Sequence, residues 1–330
     1  MKKPDEFEII SRFFAPLAEN APGAFGLTDD GAVLSPEKGA DIVVTTDKLV
    51  AGVHFPIDES PDLIASRLLA VNLSDLAAMG AKPWAYTLSI ALPENWDIQW
   101  LDSFVGGLAG AQEAFSISLV GGDTVATPGP LTVCLTALGH IQKGQELRRS
   151  GAEQGDDIYV SGTIGDAALG LKVQKGEIPG LSEKHSTALL ARFHQPIPRV
   201  QLGGRLWGLA HGVIDISDGL VADLSHICRA SKCDATIDIA QVPFSEPARA
   251  AFDLDGALKE TAITGGDDYE LLFTAPPSSA EDIGDLSKEL RLALTLIGGI
   301  GEMAGDAGSV KVVGESGKEL TLIRDGYRHF

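Results

Sequence analysis

Aspartates recur in this chain where apolar segments give way to glycine, serine or threonine. They occur as Asp29-Asp30-Gly31, Thr45-Thr46-Asp47, Gly121-Gly122-Asp123, Asp215 with Asp218, and Gly265-Gly266-Asp267-Asp268 with Glu270. Carboxylates converging from separate loops repel one another unless a hard cation lies between them. Mg2+ takes oxygen ligands from Asp, Thr hydroxyls, water and phosphate. Singly, each aspartate is more simply a turn or cap residue that bonds its own neighbouring backbone. As a set they point to a metal site for anionic substrates. The glycines beside Asp123 and Asp267 support that reading, because they let backbone come close to a ligand.

The charge balance sharpens this reading. Lys and Arg number 26 against 46 Asp and Glu, a formal charge of −20 over 330 residues. Such a field repels nucleic acid and anionic membranes, so neither is an expected partner. It also repels nucleotide phosphates unless divalent cations neutralise the carboxylates first.

Other signatures are missing. No G-x-x-x-x-G-K-[ST] loop occurs. The stretch from Asp215 to Gly219 hints at a calcium loop, but the required Glu is His226. No nucleophilic Ser or Cys triad can be assembled from spacing. An acceptor that is itself a phosphate has little need of a general base, since its second pKa is about 6. Positioning and metal charge would then supply the catalysis.

These residues need elements to hold them. Strand-like runs at Asp41 to Thr45, Ala85 to Leu92, Leu131 to His140 and Ile158 to Ser161 alternate with segments of helical period. The fold class is therefore α/β (or α+β). The clearest helix runs from Pro61 to about Met79, with Ser60 as N-cap and Gly80 past its end. Asn72 and Asp75 share one side of that helix, and the crowding of Asp75 by Leu73, Leu76 and Ala77 demands a partner for its carboxylate. Further helices are expected from Asp97 to Phe115, Asp166 to Lys175 and Ser217 to Lys232. The last has Ser217 as N-cap, and its opening amides could face an anion. A polar, glycine-punctuated stretch from Lys143 to Asp157 places the boundary between two domains near Arg149, giving 1–148 and 149–330.

The start, Met1-Lys2-Lys3-Pro4-Asp5-Glu6, lacks the apolar core of a signal peptide. Cys134, Cys228 and Cys233 form no C-x-x-C pair and read as small hydrophobes in a reducing compartment. A cytoplasmic location is expected, with no membrane span.

Seven blocks, in order, resemble the thiamine-monophosphate kinase family of the aminoimidazole ribonucleotide synthetase-like superfamily. They are Asp29 to Leu34, Thr45 to Val50 with Gly52 to Phe55, Asn72 to Gly80, Gly121 to Thr124, Arg149 to Ala152, Asp215 to Gly219, and Gly265 to Glu270. The resemblance implies a two-domain fold of mixed sheets with packed helices, dimerising through its N-terminal domain. It implies Mg2+ held by Asp30, Thr45, Thr46, Asp47, Asp75, Asp123, Asp215 and Asp218. ATP contacts fall on Gly122, Arg149 and Ser217, and thiamine monophosphate meets His54, Glu270 and Tyr327. The implied reaction is direct transfer of the γ-phosphoryl group of ATP to thiamine monophosphate, giving thiamine diphosphate and ADP, in a homodimer.

Two other readings compete. Another enzyme of the superfamily is one, but the chain has no Cys before Cys134, where selenophosphate synthetases carry a reactive residue. It also ends His329-Phe330, where the hydrogenase maturation factor ends in cysteine. The other is a non-catalytic nucleotide-binding scaffold dimer, against which the intact set of clustered aspartates argues.

Overall fold

The computed structural model describes residues 4–303, 308–314, 317–323 and 326–327. His329 and Phe330 lie outside them. Two compact units divide the chain, one of residues 1–76 and 81–144, the other of 77–80 and 145–330. The change at Gly144–Gln145 comes slightly before the expected boundary. The Ala77–Gly80 turn joins the second unit because Ala77 and Ala78 pack in one cluster with Leu147, Leu202 and Leu206.

The first unit opens with the short helix α1 (Glu6–Ile9) and π and 3-10 turns as far as Leu27. Strand β1 (Ala40–Val50) and helix α2 (Pro61–Ala78) follow, then β2 (Lys82–Pro93), α3 (Ile98–Phe115), β3 (Ser118–Thr127) and β4 (Thr132–Gln142). The sheet order is β1-β4-β2-β3, with β2 and β3 parallel and the other pairs antiparallel. Along β4, Val133, Leu135 and Ala137 are buried, while the residues between them are only partly covered. One face of the sheet therefore carries the core and the other is open.

Helix α2 ends as its sequence directs. Gly80 takes a left-handed φ of 74°, its amide donates to the Ala77 carbonyl, and the Ala81 amide donates to that of Leu76. This is the Schellman arrangement that glycine makes accessible. Helix α3 is capped by Asp97, whose carboxylate accepts the Trp100 amide at 2.8 Å.

In the second unit the order is β5 (Asp157–Ser161), α4 (Asp166–Gln174), α5 (Glu183–His194), α6 (Val200–Gly203), β6 (Gly212–Asp215), α7 (Leu220–Ser231), β7 (Asp234–Asp238), α8 (Glu246–Leu254), α9 (Leu258–Thr264), β8 (Leu271–Ala275), α10 (Ala280–Leu290), β9 (Leu294–Gly301) and β10 (Val310–Val313). The six strands order as β10-β7-β9-β5-β8-β6. All neighbours are antiparallel except the parallel pair β10 and β7. Ile158, Val160, Ile214 and Leu272 from the strands and Leu224 and Ile227 from α7 form the core. Among the described residues no helix is long and apolar enough to cross a membrane.

Three expectations change. Helix α7 begins at Leu220 with Gly219 as its cap, at φ 125°, so Ser217 belongs to the loop before it. Thr45, Thr46 and Asp47 lie inside β1, paired with Ala137, Thr136 and Leu135, and Asp123 lies inside β3, paired with Ser89. In the sequence these polar residues mark the ends of apolar runs, but backbone ladder bonds to the neighbouring strands carry both strands past them whatever the side chains.

Candidate functional site

In the first unit, alternation along β1 sends Thr45 and Asp47 to the covered face of the sheet and Thr46 to the open one. The Thr45 hydroxyl donates to the carboxylate of Asp75 on α2. Burial pushes the Asp47 carboxyl up to about 6, and the Asp75 charge adds to the rise. Two carboxylates and a hydroxyl therefore stand together, and their ligand atoms are all oxygen. That donor set, with like charges close enough to disfavour each other, fits Mg2+.

Beside them, Asn72 is fully buried. Its amide nitrogen donates to the Leu68 carbonyl at 2.9 Å, while its side-chain oxygen has no hydrogen-bond partner among the described residues. On the open face, the Thr46 hydroxyl donates to the Leu135 carbonyl at 3.0 Å and accepts from Thr136 at 3.1 Å. Asp123 shares this face, in a row that runs Lys48, Cys134, Ser89, Asp123 across the four strands. It is exposed and stands at the far edge of the sheet from β1. Cys134, in the same row, is only partly buried. Asp30 is exposed in the coil that precedes β1.

Gly122 has a local structural reason. A Cβ there would lie 1.9 Å from the Leu88 carbonyl oxygen, so any side chain would push β3 away from β2. His54 sits in the turn after β1, where its Nδ1 accepts the Val50 amide at 3.0 Å. That bond places the proton of the neutral ring on Nε2.

In the second unit, Asp215 ends β6 and is buried. Ser217, Asp218 and Gly219 turn their amides inward onto a single oxygen of Asp223, at 3.1, 3.0 and 3.0 Å. The anion expected to meet these amides is thus supplied by the chain itself. Burial raises the Asp223 carboxyl to about 7, the amides partly oppose the rise, and Asp218 adds to it. Oxygens of Asp218 and Asp223 and a ring nitrogen of His226 all lie within 4.8 Å of one another. The His226 ring is held below its ordinary pKa by burial, then by Arg229 and Arg149, so Arg149, although exposed, has its charge near this group.

The segment 264–270 is laced to this loop. The Asp267 amide donates to the Ser217 carbonyl at 2.9 Å, the Tyr269 amide to that of Ile216 at 2.8 Å, and the Ile216 amide to that of Glu270 at 2.8 Å. The Tyr327 amide donates to the Asp218 carbonyl at 2.9 Å, and its half-exposed ring is carried beside the loop. Asp267 and Tyr269 hold left-handed φ of 76° and 51° without being glycine, a conformation that persists only where neighbours impose it. Between them, Asp268 accepts the Gly165 and Ala167 amides at 2.6 and 3.2 Å, and burial drives its carboxyl well above the usual range.

Glu270 behaves differently from its expected role. It is fully buried, and its carboxylate accepts from Arg199 through Nε at 2.6 Å and through Nη2, from Arg192 at 2.9 Å, and from the Ser161 hydroxyl. A substrate could reach it only by displacing these partners. Sequence reasoning did not single out Asp223, Arg192 or Arg199, and it placed Asp268 in the acidic set without foreseeing its hold on the Gly165 and Ala167 amides. Asp223 could have been found as a carboxylate on the apolar stripe of α7 formed by Leu220, Leu224 and Ile227.

The predicted residues thus gather into two groups. Thr45, Asp47 and Asp75 collect in the first unit, while Thr46 points to the open face of the sheet, with Asp123 on that face three strands away and Asp30 in coil. Asp215, Ser217, Asp218, Arg149 and Tyr327 collect in the second.

Comparison with known proteins gives this geometry a family. Residues 28–141 match AIR synthase related protein, N-terminal domain, and residues 153–311 match its C-terminal domain. The thiamine-monophosphate kinase of Caulobacter vibrioides is 40% identical over 329 residues, covering 99% of this chain and 91% of that protein. A crystal structure of the Stenotrophomonas maltophilia K279a thiamine-monophosphate kinase superposes with a TM-score of 0.83 at 41% identity, covering 92% of this chain and 96% of that one. AaThiL complexed with AMPPCP and TMP superposes with a TM-score of 0.78 at 29% identity, covering 100% and 99%. Likeness of this extent, over both units and nearly every residue, means that the chain belongs to the thiamine-monophosphate kinase family.

Proposed function

We propose that the chain transfers the γ-phosphoryl group of ATP to thiamine monophosphate, giving thiamine diphosphate and ADP, with Mg2+ as its metal. The observation that carries the metal is the pair Asp47 and Asp75. Burial and mutual repulsion lift one of these carboxyls to about 6, a state that a divalent cation relieves. Family membership and the nucleotide analogue and TMP named with AaThiL support the two substrates.

Within the first unit Thr45, Asp47 and Asp75 would hold Mg2+, and the family assignment adds Thr46 and Asp123 on the open face and Asp30 in the coil; within the second unit, taken by itself, Asp215 and Asp218 would do so. The metal's chemistry is to offset the phosphate charges and polarise the transferred group. Family membership assigns Gly122 of the first unit to ATP, and Arg149 and Ser217 of the second likewise. His54 presents an Nε2–H donor suited to a phosphate oxygen. Tyr327 offers a ring face, and Glu270 acts on the acceptor through the segment it anchors. No side chain is needed to take a proton, since the acceptor oxygen is largely ionised near neutral pH.

The open sheet face supports a homodimer. Ile42, Val44 and Val125 are 43, 60 and 48% exposed there, apolar surface that a second copy would cover. Cytoplasm, where ATP is supplied and thiols stay reduced, suits the free Cys228 and Cys233.

The test measures ADP release with ATP and Mg2+ in the presence of thiamine monophosphate, of other phosphate esters, and of neither. Release that depends on thiamine monophosphate is expected. Release stimulated only by a different ester would overturn the acceptor, and none with any acceptor would favour a scaffold.

A further inference from the structure

Glu270 is a carboxylate sealed inside the second unit, and the machinery that holds it is larger than a core requires. Arg199 meets it with two nitrogens, Arg192 with one, and Ser161 with its hydroxyl. Gly162 closes the fourth side, since a Cβ there would lie 2.2 Å from the Glu270 Oε1. Arg199 and Arg192 are themselves largely covered, at 16 and 19% side-chain exposure. A buried carboxylate so arranged cannot shift without leaving charges unpaired, so it is a fixed point.

What hangs from that point is the loop of the proposed nucleotide and metal residues. The Glu270 carbonyl accepts the Ile216 amide, Ile216 accepts that of Tyr269, and Ser217 accepts that of Asp267. Gly266 and Gly219 complete the fit, for a Cβ on either would meet the facing backbone at 2.1 or 2.8 Å. The two segments therefore move as one. Asp215, Ser217 and Asp218 take their positions from a strip of chain whose far end is clamped by guanidinium groups.

We propose that Arg199, supported by Arg192, is a positioning residue. By holding Glu270 against Ser161 and Gly162, it sets the 215–219 loop in the geometry that receives nucleotide and metal. The consequence for the reaction rests on the function proposed above, while the loop geometry does not depend on it. A planar, two-pronged donor is what the site uses, so lysine is not an equivalent.

Arg199→Gln and Arg199→Lys test this, with Arg205→Gln, which removes only an exposed ion pair to Glu289, as the control. Amide hydrogen exchange over residues 213–223 and steady-state kinetics in ATP are measured well below each protein's unfolding midpoint. Arg199→Gln is expected to speed exchange at Ser217 to Gly219 by about tenfold or more and to raise the KM for ATP by about tenfold, with a smaller change in kcat. Arg199→Lys should fall between it and the native protein, and Arg205→Gln should match the native protein. If Arg199→Gln lowers the unfolding midpoint yet leaves loop exchange and the KM for ATP unchanged, the arginine is merely structural and the proposal fails. Should that variant not fold, Arg192→Gln, which removes a single bond, decides on the same two readouts. A native protein inactive with thiamine monophosphate would sink the proposed function, whereas the exchange result would still settle the role of Arg199.

Discussion

Replacing Asp75 by asparagine separates stability from function at the metal site. In the native protein the Asp47 carboxyl is raised from 3.8 to about 6, first by burial and second by the Asp75 charge. A carboxyl raised on folding favours the folded state while protonated, so its contribution is full below about pH 4 and is lost as pH rises through 6. A displacement of that size corresponds to about 3 kcal/mol. Because burial is the larger cause, removing the Asp75 charge should return less than half, about 1 kcal/mol. The asparagine amide would still offer an oxygen to the Thr45 hydroxyl, so the shape is kept. Metal-free Asp75→Asn should therefore resist urea better than the native protein at pH 8, and the difference should vanish near pH 4. Mg2+ should stabilise the native protein in the same titration and the variant much less, with at least about a tenfold loss of apparent affinity and near-complete loss of turnover. A variant less stable than the native protein at pH 8 would refute this reasoning. So would one that Mg2+ stabilises equally, or one that turns over at the native rate in low Mg2+.

Two further outcomes follow from other groups. Asp223, raised to about 7 chiefly by burial, should make stability fall as pH climbs from about 4 to 7. Asp223→Asn should remove at most about 4 kcal/mol of that accumulated loss in urea unfolding at successive pH values, and an unchanged slope would contradict the assignment. Gly122→Ala should cost about 1–3 kcal/mol in urea unfolding, because its Cβ would collide with the Leu88 carbonyl, and a neutral effect would show that β3 can move.

The elements that periodicity and caps specify were legible in the sequence. Helix α2 ends at its glycine, α3 starts on Asp97, and β2, β4 and β5 lie where the apolar runs are. What misled was polarity within strands. Thr45-Thr46-Asp47 and Gly121-Gly122-Asp123 read as breaks, yet β1 and β3 continue through them because partners across the sheet supply the bonds. The start of α7 was misplaced for a related reason. Ser217 has the side chain of a cap, but Asp223, six residues on, takes the amides first. Metal candidates were visible because carboxylates stand out by type. The anchors of Glu270 were not, since Arg192 and Arg199 lie more than 70 positions away from it and no local pattern links them to it. Only the fold brings them to one buried oxygen pair.

The most direct test of the central claim follows the phosphoryl group itself. ATP labelled at the γ-phosphate is incubated with the protein, Mg2+ and thiamine monophosphate, and the products are separated. The label should appear in thiamine diphosphate, at its terminal phosphate, in amounts equal to the ADP formed and only when Mg2+ is present. Label found solely as inorganic phosphate, or thiamine diphosphate formed without Mg2+, would contradict it.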